Sequence, residues 1–152
     1  MNVMFYAAGV SNSRCEDAAE YERDRGRLVT SFRADRRTIY FSTTSLYGQD
    51  SPYTEHKRRL EDMVLMQGGA VLRCSNVVGN HAPGYQLVPL LRDKIRRNEV
   101  ITLQRNARRN IVDVRDVVRI ARAMVDMAGV VNVAATYDNS MSEIVAALED
   151  ST

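Results

Sequence analysis

The chain alternates short runs of β-branched and aromatic residues with longer amphipathic stretches, and this alternation limits the folds open to it. Runs of about four to eight such residues are typical of buried strands, whereas apolar residues spaced three and four apart are typical of helices. Strands that alternate with helices form a mainly parallel sheet with helices packed on its faces. We therefore predict an α/β fold with flanking helices.

The predicted elements cover most of the chain. The predicted strands are residues 2 to 8, 38 to 43, 70 to 75, 100 to 103 and 130 to 134. The predicted helices are residues 16 to 33, 53 to 66, 86 to 97 and 116 to 128, and a capping box at Ser140 to Glu143 opens a last helix. The predicted inner faces of the first and third helices are Tyr21, Arg25, Leu28, Val29 and Phe32, and Leu87, Leu90, Leu91 and Ile95. With 152 residues and 45% hydrophobic content, residues 1 to 152 are predicted to form a single domain with its own core.

Charge and cysteine content narrow the class of protein. The net charge is only +2, and the basic stretch from Arg92 to Arg109 alternates with core positions, which argues against a nucleic-acid partner. Cys15 and Cys74 match no metal-ligand spacing, so we predict no metal site and a reduced, cytoplasmic setting. The apolar start lacks a basic leader and is too short to span a bilayer, so we predict no membrane association.

Tyr53 and Lys57 are four residues apart, at the start of a predicted helix. One helical turn separates them, so both side chains project from the same face. A phenol has a pKa near 10, and a neighbouring cation lowers such a pKa by about 1 to 3 units. The pair can therefore supply a proton donor and acceptor near neutral pH.

The surroundings of this pair are those of a ligand site. A hydroxyl cluster, Ser42 to Ser45, lies at the predicted carboxyl end of a buried strand, which is the edge where open α/β sheets bind ligands. Ser51 and Pro52 then supply an N-cap and a first-turn proline. The helix that follows places four residues on one stripe: Tyr53, Lys57, Leu60 and Val64.

Five ordered motifs carry a family resemblance. They are YAAGVSNS, YFSTTSLYG, SPYTEHK, VLRCSNVVG and RRNIVDVRDVV. In this order they resemble the later strands of the extended short-chain dehydrogenase/reductase family, the NAD-dependent nucleotide-sugar epimerases and dehydratases. The resemblance covers roughly residues 3 to 120. It implies a partial Rossmann-like fold with a small substrate-binding lid.

The resemblance also implies roles for individual residues. Thr43 matches the hydroxyl that binds the reacting sugar oxygen, with Thr44 and Ser42 as neighbouring alternatives. Tyr53 matches the proton shuttle, and Lys57 the residue that lowers its pKa and holds the nicotinamide ribose. A strand-end hydroxyl bonded to backbone is the simpler alternative for Thr43.

Further matches concern the cofactor and the substrate. Ala7, Ala8 and Gly9 resemble the segment that passes close to the cofactor, and Ser75 and Asn76 resemble residues facing the nicotinamide and the substrate. Arg109 matches an arginine that binds the nucleotide-sugar pyrophosphate. The alternative for Arg109, as for Arg73, is a plain surface charge. His56 and His81 are predicted to be exposed and have no assigned role.

The chain departs from the family pattern in its first half. No trio of glycines has the G-x-x-G-x-x-G spacing that cradles a dinucleotide pyrophosphate. We therefore predict weak or absent binding of NAD or NADP to the isolated chain. Thr44 and Ser45 stand where a 4,6-dehydratase has Asp-Glu, which favours an epimerase or reductase.

Two classes of function follow. The first is an NAD-dependent enzyme acting on a nucleotide sugar by hydride transfer, incomplete without an amino-terminal, glycine-rich half. The second is a non-catalytic remnant that binds a nucleotide or a protein. Because the opening strand would lack its usual neighbour, we also predict that it forms a sheet edge covered by an amino-terminal half or by a second copy of the chain.

Overall fold

The predicted α/β architecture is confirmed by a computed structural model, which describes residues 2–48, 50–79, 84 and 86–151. The strands are β1 (Asn2–Tyr6), β2 (Arg36–Thr43), β3 (Ala70–Cys74), β4 (Asn76–Val78), β5 (Arg108–Arg109), β6 (Ile111–Asp113), β7 (Gly129–Val133) and β8 (Asn139–Ser140). The α-helices are α1 (Ala18–Ser31), α2 (Pro52–Met66), α3 (Leu87–Arg96), α4 (Val114–Ala123) and α5 (Met141–Glu149), and a 3₁₀ helix spans Thr44–Tyr47.

The chain divides into two compact units. The first comprises Met1–Ser75 and Val118–Val133, and the second comprises Asn76–Val117 and Ala134–Thr152. The chain therefore passes from one unit to the other three times: just after β3, inside α4 and at the end of β7. The single domain expected from the sequence stays a prediction.

The first unit is built on a parallel sheet with the strand order β1-β2-β3-β7. Its register pairs Tyr6 with Tyr40, Thr43 with Cys74, and Cys74 with Val133. Because all four strands run the same way, their carboxyl ends meet at one edge of the sheet. β1 pairs with β2 at one end of this order, as expected for an edge strand.

The core of the first unit joins the sheet to α1 and α2. Six buried residues form it: Tyr6, Leu28, Tyr40, Leu60, Val64 and Val71. Leu60 and Val64 belong to the stripe predicted for α2, and both are fully buried. The helix carrying the Tyr–Lys pair is therefore held against the sheet by apolar contacts, which are the main stabilising term in a fold of this size.

The second unit contains two small sheets and two helices. β4 pairs with β6 in parallel, and β5 pairs with β8 in antiparallel orientation. Its core is a cluster of Leu91, Met141, Ile144 and Leu148 between α3 and α5. The structure confirms the predicted capping box at the start of α5: Ser140 Oγ accepts a hydrogen bond from the Glu143 amide at 3.2 Å.

Several local predictions were wrong. Residues 100 to 103 form no strand; Val100 is 89% exposed, and Ile101 and Leu103 pack as loop residues on the α3–α5 cluster. α4 ends at Ala123 and not at residue 128. Helix faces also differ: Arg25, Val29 and Leu90 are exposed, whereas Asp24 is buried. Tertiary packing decided which of these residues are buried, because a weak apolar periodicity does not determine which face of an element its neighbours cover.

The part of the chain that the structure describes contains no helix long and apolar enough to cross a bilayer. It also contains no group of three or more His, Cys, Asp or Glu residues arranged to hold a metal ion. A cytoplasmic location stays a prediction.

Candidate active site

The carboxyl edge of the first sheet gathers most of the residues assigned from the sequence. Ala7 to Gly9 follow β1 and are exposed, Thr43 ends β2, and Ser75 follows β3. The Ser75 amide donates to the Val133 carbonyl at 3.0 Å and so continues the sheet by one hydrogen bond. The structure thus brings these residues to one edge, because parallel strands end together.

α2 begins directly beside this edge and carries Tyr53 and Lys57. Its start is fixed by the predicted cap: Ser51 Oγ accepts from the Thr54 amide at 3.2 Å, and Pro52 occupies the first turn. Tyr53 and Lys57 are both buried, with exposed fractions of 6% and 5%. The capped helix end therefore determines where the phenol and the ammonium lie.

The Lys57 ammonium lies close to two tyrosine rings. Its Nζ atom is 5.2 Å from the ring centroid of Tyr40 and 5.7 Å from that of Tyr53. Burial lowers the pKa of Lys57, and the negative charges of Asp24 and Glu61 oppose this effect. The site thus combines a phenol with a buried cation whose charge is sensitive to its neighbours.

The hydroxyl groups at the edge fall into two kinds. Thr43 Oγ1 accepts from the Ser45 amide at 3.1 Å and donates to Ser45 Oγ at 3.0 Å, so it caps the 3₁₀ helix. Ser42 Oγ and Ser75 Oγ are buried and have no hydrogen-bond partner among the described residues. Buried hydroxyls without a partner are rare, and they fit a polar ligand at this edge.

Sequence reasoning missed a buried cluster next to this pair. His56, which was predicted to be exposed, is 7% exposed and donates from Nε2 to Asp24 Oδ2 at 2.8 Å. Asp24 also accepts from the Tyr6 hydroxyl at 3.0 Å and the Val10 amide at 3.1 Å. Helical spacing could have indicated that Asp24 is buried, because Asp24 lies three residues after Tyr21 and four before Leu28, on the same face of α1.

Burial by itself raises the pKa of Asp24, but the hydrogen bonds from His56, the Val10 amide and Tyr6 outweigh it. The net effect lowers the pKa of this carboxyl. The same burial, together with the bond to Asp24, raises the pKa of Tyr6. Asp24 is therefore an ionised acceptor and Tyr6 a neutral donor within the core.

Arg73 is engaged in an ion pair and is not a plain surface charge. Its Nη2 atom lies 2.6 Å from Oε2 of Glu61, which is 2% exposed, and its Nη1 donates to Tyr47 at 3.0 Å. Tyr47 in turn donates to Asn132 Oδ1 at 2.8 Å. This chain of contacts links α2, β3 and β7 and satisfies the buried carboxylate of Glu61.

In the second unit, Asn76 and Arg109 lie near each other through Asn110. The Asn76 amide and side chain both donate to the Asn110 carbonyl, at 3.2 Å and 2.9 Å. Arg109 Nη1 donates to the Arg108 carbonyl at 2.8 Å, and no acidic group among the described residues forms an ion pair with it. The prediction for His81 lies outside the described residues.

The second unit also has an open cavity of about 420 Å³. Arg92 and Asp113 are among its lining residues, together with apolar side chains of α3 and α5. Neither Asn76 nor Arg109 is among the described residues that line it. The cavity therefore gives no support to the predicted substrate contacts.

A parallel sheet with a Tyr–Lys helix at its carboxyl edge defines a Rossmann-like α/β protein of the short-chain dehydrogenase/reductase type. Comparison with known families agrees: the model of the NAD dependent epimerase/dehydratase family matches residues 26–134. The chain belongs to this family, and the resemblance inferred from the sequence is confirmed. A comparison with curated protein sequences finds no match.

Solved structures share the fold at low sequence identity. UDP-N-acetylglucosamine 4-epimerase from Methanobrevibacter ruminantium M1 is 19% identical, with a TM-score of 0.85 over 98% of this chain and 60% of that one. UDP-glucuronic acid 4-epimerase from Bacillus cereus, in complex with NAD, is 18% identical, with a TM-score of 0.84 over 99% and 59%. dTDP-glucose 4,6-dehydratase from Bacillus anthracis, also in complex with NAD, is 18% identical, with a TM-score of 0.78 over 97% and 55%.

These coverages describe the extent of the match. The chain spans 55% to 60% of the length of these three structures. The likeness concerns the fold, because the identities are below one in five residues.

Proposed function

We propose that this chain supplies the proton-transfer and substrate-binding part of an NAD-dependent enzyme that acts on a nucleotide sugar. The carrying observation is the buried Tyr53–Lys57 pair, with the Lys57 ammonium 5.7 Å from the Tyr53 ring. Membership of the epimerase/dehydratase family supports the reaction class. The finer assignment, to an epimerase or reductase, rests on Thr44 and Ser45 in place of an Asp-Glu pair.

In this proposal Tyr53 takes the proton from a sugar hydroxyl and later returns it. Lys57 favours the phenolate form, since a nearby cation stabilises a negative oxygen. Thr43, at the end of β2, donates to the reacting sugar oxygen once its hydroxyl turns away from Ser45; Ser42 and Thr44 remain alternatives. Tyr53 and Lys57 are both nearly buried, so little water reaches either side chain.

The residues at the sheet edge fit the nicotinamide end of a dinucleotide. Lys57 and Tyr53 would hold the ribose, Ser75 would meet the carboxamide, and Ala7 to Gly9 would pass beside it. The orphaned hydroxyl of Ser75 is the feature that fits such a polar group. When bound, NAD or NADP would accept and return the hydride.

Substrate binding is proposed for Asn76 and Arg109. Arg109 has no described acidic partner, and a guanidinium suits the paired oxygens of a pyrophosphate. Among the solved relatives, the Methanobrevibacter ruminantium enzyme is in complex with UDP-N-acetylmuramic acid. A nucleotide sugar is therefore the substrate class we propose.

A second candidate is a non-catalytic module that binds a nucleotide or a protein. The favouring observation is that the Thr43 hydroxyl is engaged with Ser45 as the cap of the 3₁₀ helix, as a purely structural hydroxyl would be. This candidate predicts ligand binding without turnover.

The two candidates differ in their response to Tyr53→Phe. We expect this variant to reduce turnover by a factor of about 100 or more, because general acid–base catalysis contributes about 10² to 10⁴. The assay combines the chain with an amino-terminal half that carries the glycine-rich turn, and measures sugar interconversion and cofactor affinity. Cofactor affinity should fall by no more than about tenfold, since the variant removes one hydroxyl and with it at most one hydrogen bond to the ribose.

Tyr137→Phe is the matched control, because this tyrosine is 68% exposed in the second unit. It removes the same hydroxyl from a different place and should leave turnover unchanged. Equal turnover in the wild type, Tyr53→Phe and Tyr137→Phe would refute the enzyme and favour the binding module.

A further inference from the structure

Tyr47 ends the 3₁₀ helix that follows β2, and its hydroxyl is bound from two strands although its ring lies at the surface. The residue is 62% exposed, so burial of the ring contributes little to its position. Its hydroxyl accepts from Arg73 Nη1 on β3 at 3.0 Å and donates to Asn132 Oδ1 on β7 at 2.8 Å. The Arg73 guanidinium also lies 5.3 Å from the centroid of the ring. The hydroxyl is therefore the group that joins this residue to the sheet.

Arg73 is in turn held by α2. Its Nε and Nη2 atoms bind the buried carboxylate of Glu61 at two points, at 3.0 Å and 2.6 Å. Such a two-point contact fixes the direction of a guanidinium as well as its distance. Glu61 lies four residues after Lys57, on the same buried face of α2. The Tyr47 hydroxyl is therefore bound by a group whose position is fixed by the helix that carries the Tyr–Lys pair.

The 3₁₀ helix has the Thr43 hydroxyl at its other end. Thr43 Oγ1 accepts from the Ser45 amide at 3.1 Å, and the Gly48 amide donates to the Ser45 carbonyl at 3.0 Å. Leu46 is 6% exposed, and its carbonyl accepts from Arg58 of α2 at 3.1 Å. A 3₁₀ helix of four residues has few hydrogen bonds of its own, and their geometry is poorer than in an α-helix. Contacts from outside this helix therefore determine how well it is ordered.

We propose that Tyr47 is a positioning residue for Thr43. Its hydroxyl, bound by Arg73 and Asn132, holds the backbone of the 3₁₀ helix in one arrangement relative to α2. Thr43 then stays at a fixed separation from Tyr53 when its hydroxyl turns towards a ligand. In this role Tyr47 touches neither substrate nor cofactor. The consequence for catalysis rests on the proposed function, whereas the ordering of the 3₁₀ helix does not.

The test compares Tyr47→Phe with the wild-type chain by water-exchange NMR of ¹⁵N-labelled protein. The variant keeps the aromatic ring and removes only the hydroxyl. We expect exchange of the Ser45 and Gly48 amides to become about two- to tenfold faster, the factor that corresponds to the net contribution of one hydrogen bond. The Glu143 amide, bound to Ser140 Oγ at 3.2 Å in the second unit, is the internal reference and should exchange at its wild-type rate.

Two changes at Asn132 separate the hydrogen bond from the side chain that forms it. Asn132→Asp keeps an accepting oxygen for the Tyr47 hydroxyl, so both amides should exchange within about twofold of the wild-type rate. Asn132→Leu has a similar size but no acceptor, so it should accelerate exchange, by no more than Tyr47→Phe does. Asn132 is exposed, so neither change disturbs the core. The proposal is overturned if Tyr47→Phe leaves both amides unchanged, or if Asn132→Asp accelerates exchange as much as Asn132→Leu.

The readout for positioning is turnover in the complex with an amino-terminal half. Tyr47→Phe should lower kcat by about three- to tenfold and leave KM within about twofold, because a displaced Thr43 hydroxyl weakens binding of the transition state more than binding of the substrate. Asn132→Asp should retain more of the wild-type kcat than Asn132→Leu. Faster amide exchange with an unchanged kcat would overturn the role in catalysis. If the wild-type complex shows no turnover, the proposed function fails, and amide exchange alone decides whether Tyr47 orders the 3₁₀ helix.

Discussion

At the scale of single residues, Gly9 shows how close packing limits which side chain a position at the sheet edge can carry. Gly9 has φ = 131°, and a Cβ atom there would lie 2.8 Å from both carboxylate oxygens of Asp24. The family resemblance implies that Gly9 is a glycine because the cofactor passes close to it. In the structure, the nearest group to a Cβ atom at this position is the carboxylate of Asp24. Gly9 is therefore required by the Asp24 cluster whatever ligand binds.

Gly9→Ala should lower the free energy of unfolding by about 1 to 3 kcal/mol, because both the backbone angle and the clash disfavour a side chain. Urea unfolding followed by circular dichroism measures the change. Gly26→Ala is the matched control: Gly26 lies inside α1 with nothing within 4 Å of the added Cβ, so this change should stabilise by roughly 0.5 to 1 kcal/mol. Equal effects of the two substitutions would show that Asp24 does not crowd the Gly9 turn.

At the scale of elements, α2 carries the residues of the site on one buried face. That face holds Tyr53, His56, Lys57, Leu60 and Glu61, so one helix supplies apolar packing, an ion pair and the proposed chemistry. The helix begins at a reciprocal cap: Ser51 Oγ accepts from the Thr54 amide, and Thr54 Oγ1 accepts from the Ser51 amide at 2.9 Å. Tyr53 lies within this first turn, so fraying there would displace the phenol.

Ser51→Ala should reduce stability by about 1 kcal/mol, the usual loss when an N-cap oxygen is removed. Thermal unfolding provides the measurement. Ser51→Asp keeps an accepting oxygen and places a negative charge at the positive end of the helix, so it should retain most of the wild-type stability. If Ser51→Ala and Ser51→Asp lose the same amount, the cap does not stabilise α2.

At the scale of the whole molecule, the first sheet has an edge at β1. Its register pairs Asn2 to Tyr6 with Arg36 to Tyr40, and β1 ends the strand order. Phe5, the fourth of the five residues of β1, is 45% exposed. Such an edge offers backbone groups and apolar surface to another strand. The weak binding of NAD expected of the isolated chain stays a prediction.

We expect β1 to be covered by another strand in solution, from a second copy of the chain or from an amino-terminal half. Sedimentation velocity should then detect a dimer or larger species, or a complex once that half is added. Hydrogen exchange at residues 2 to 6 should slow as the complex forms, because edge amides gain partners. A monomer at all concentrations, with exchange at β1 unaffected by the added half, would contradict this expectation.

Much of this arrangement could be predicted from the sequence because it depends on local order. The strand–helix alternation, the Ser51–Pro52 start of α2 and the Ser140 capping box are set by neighbouring residues, and all three were confirmed. The buried stripe of Tyr53, Lys57, Leu60 and Val64 follows from helical periodicity alone. The order of the five sequence motifs likewise indicated the family, which the match over residues 26–134 confirmed.

Only the tertiary structure decided which charges are buried and how they are paired. His56 and Asp24 are separated by 32 residues, and Glu61 and Arg73 by 12. Helical spacing can place such a side chain on the inner face of its helix, as it does for Asp24. It does not identify the partners on other elements that stabilise the buried charge. The sequence by itself determined the sheet, the helix and the Tyr–Lys pair, and packing determined the charges around that pair.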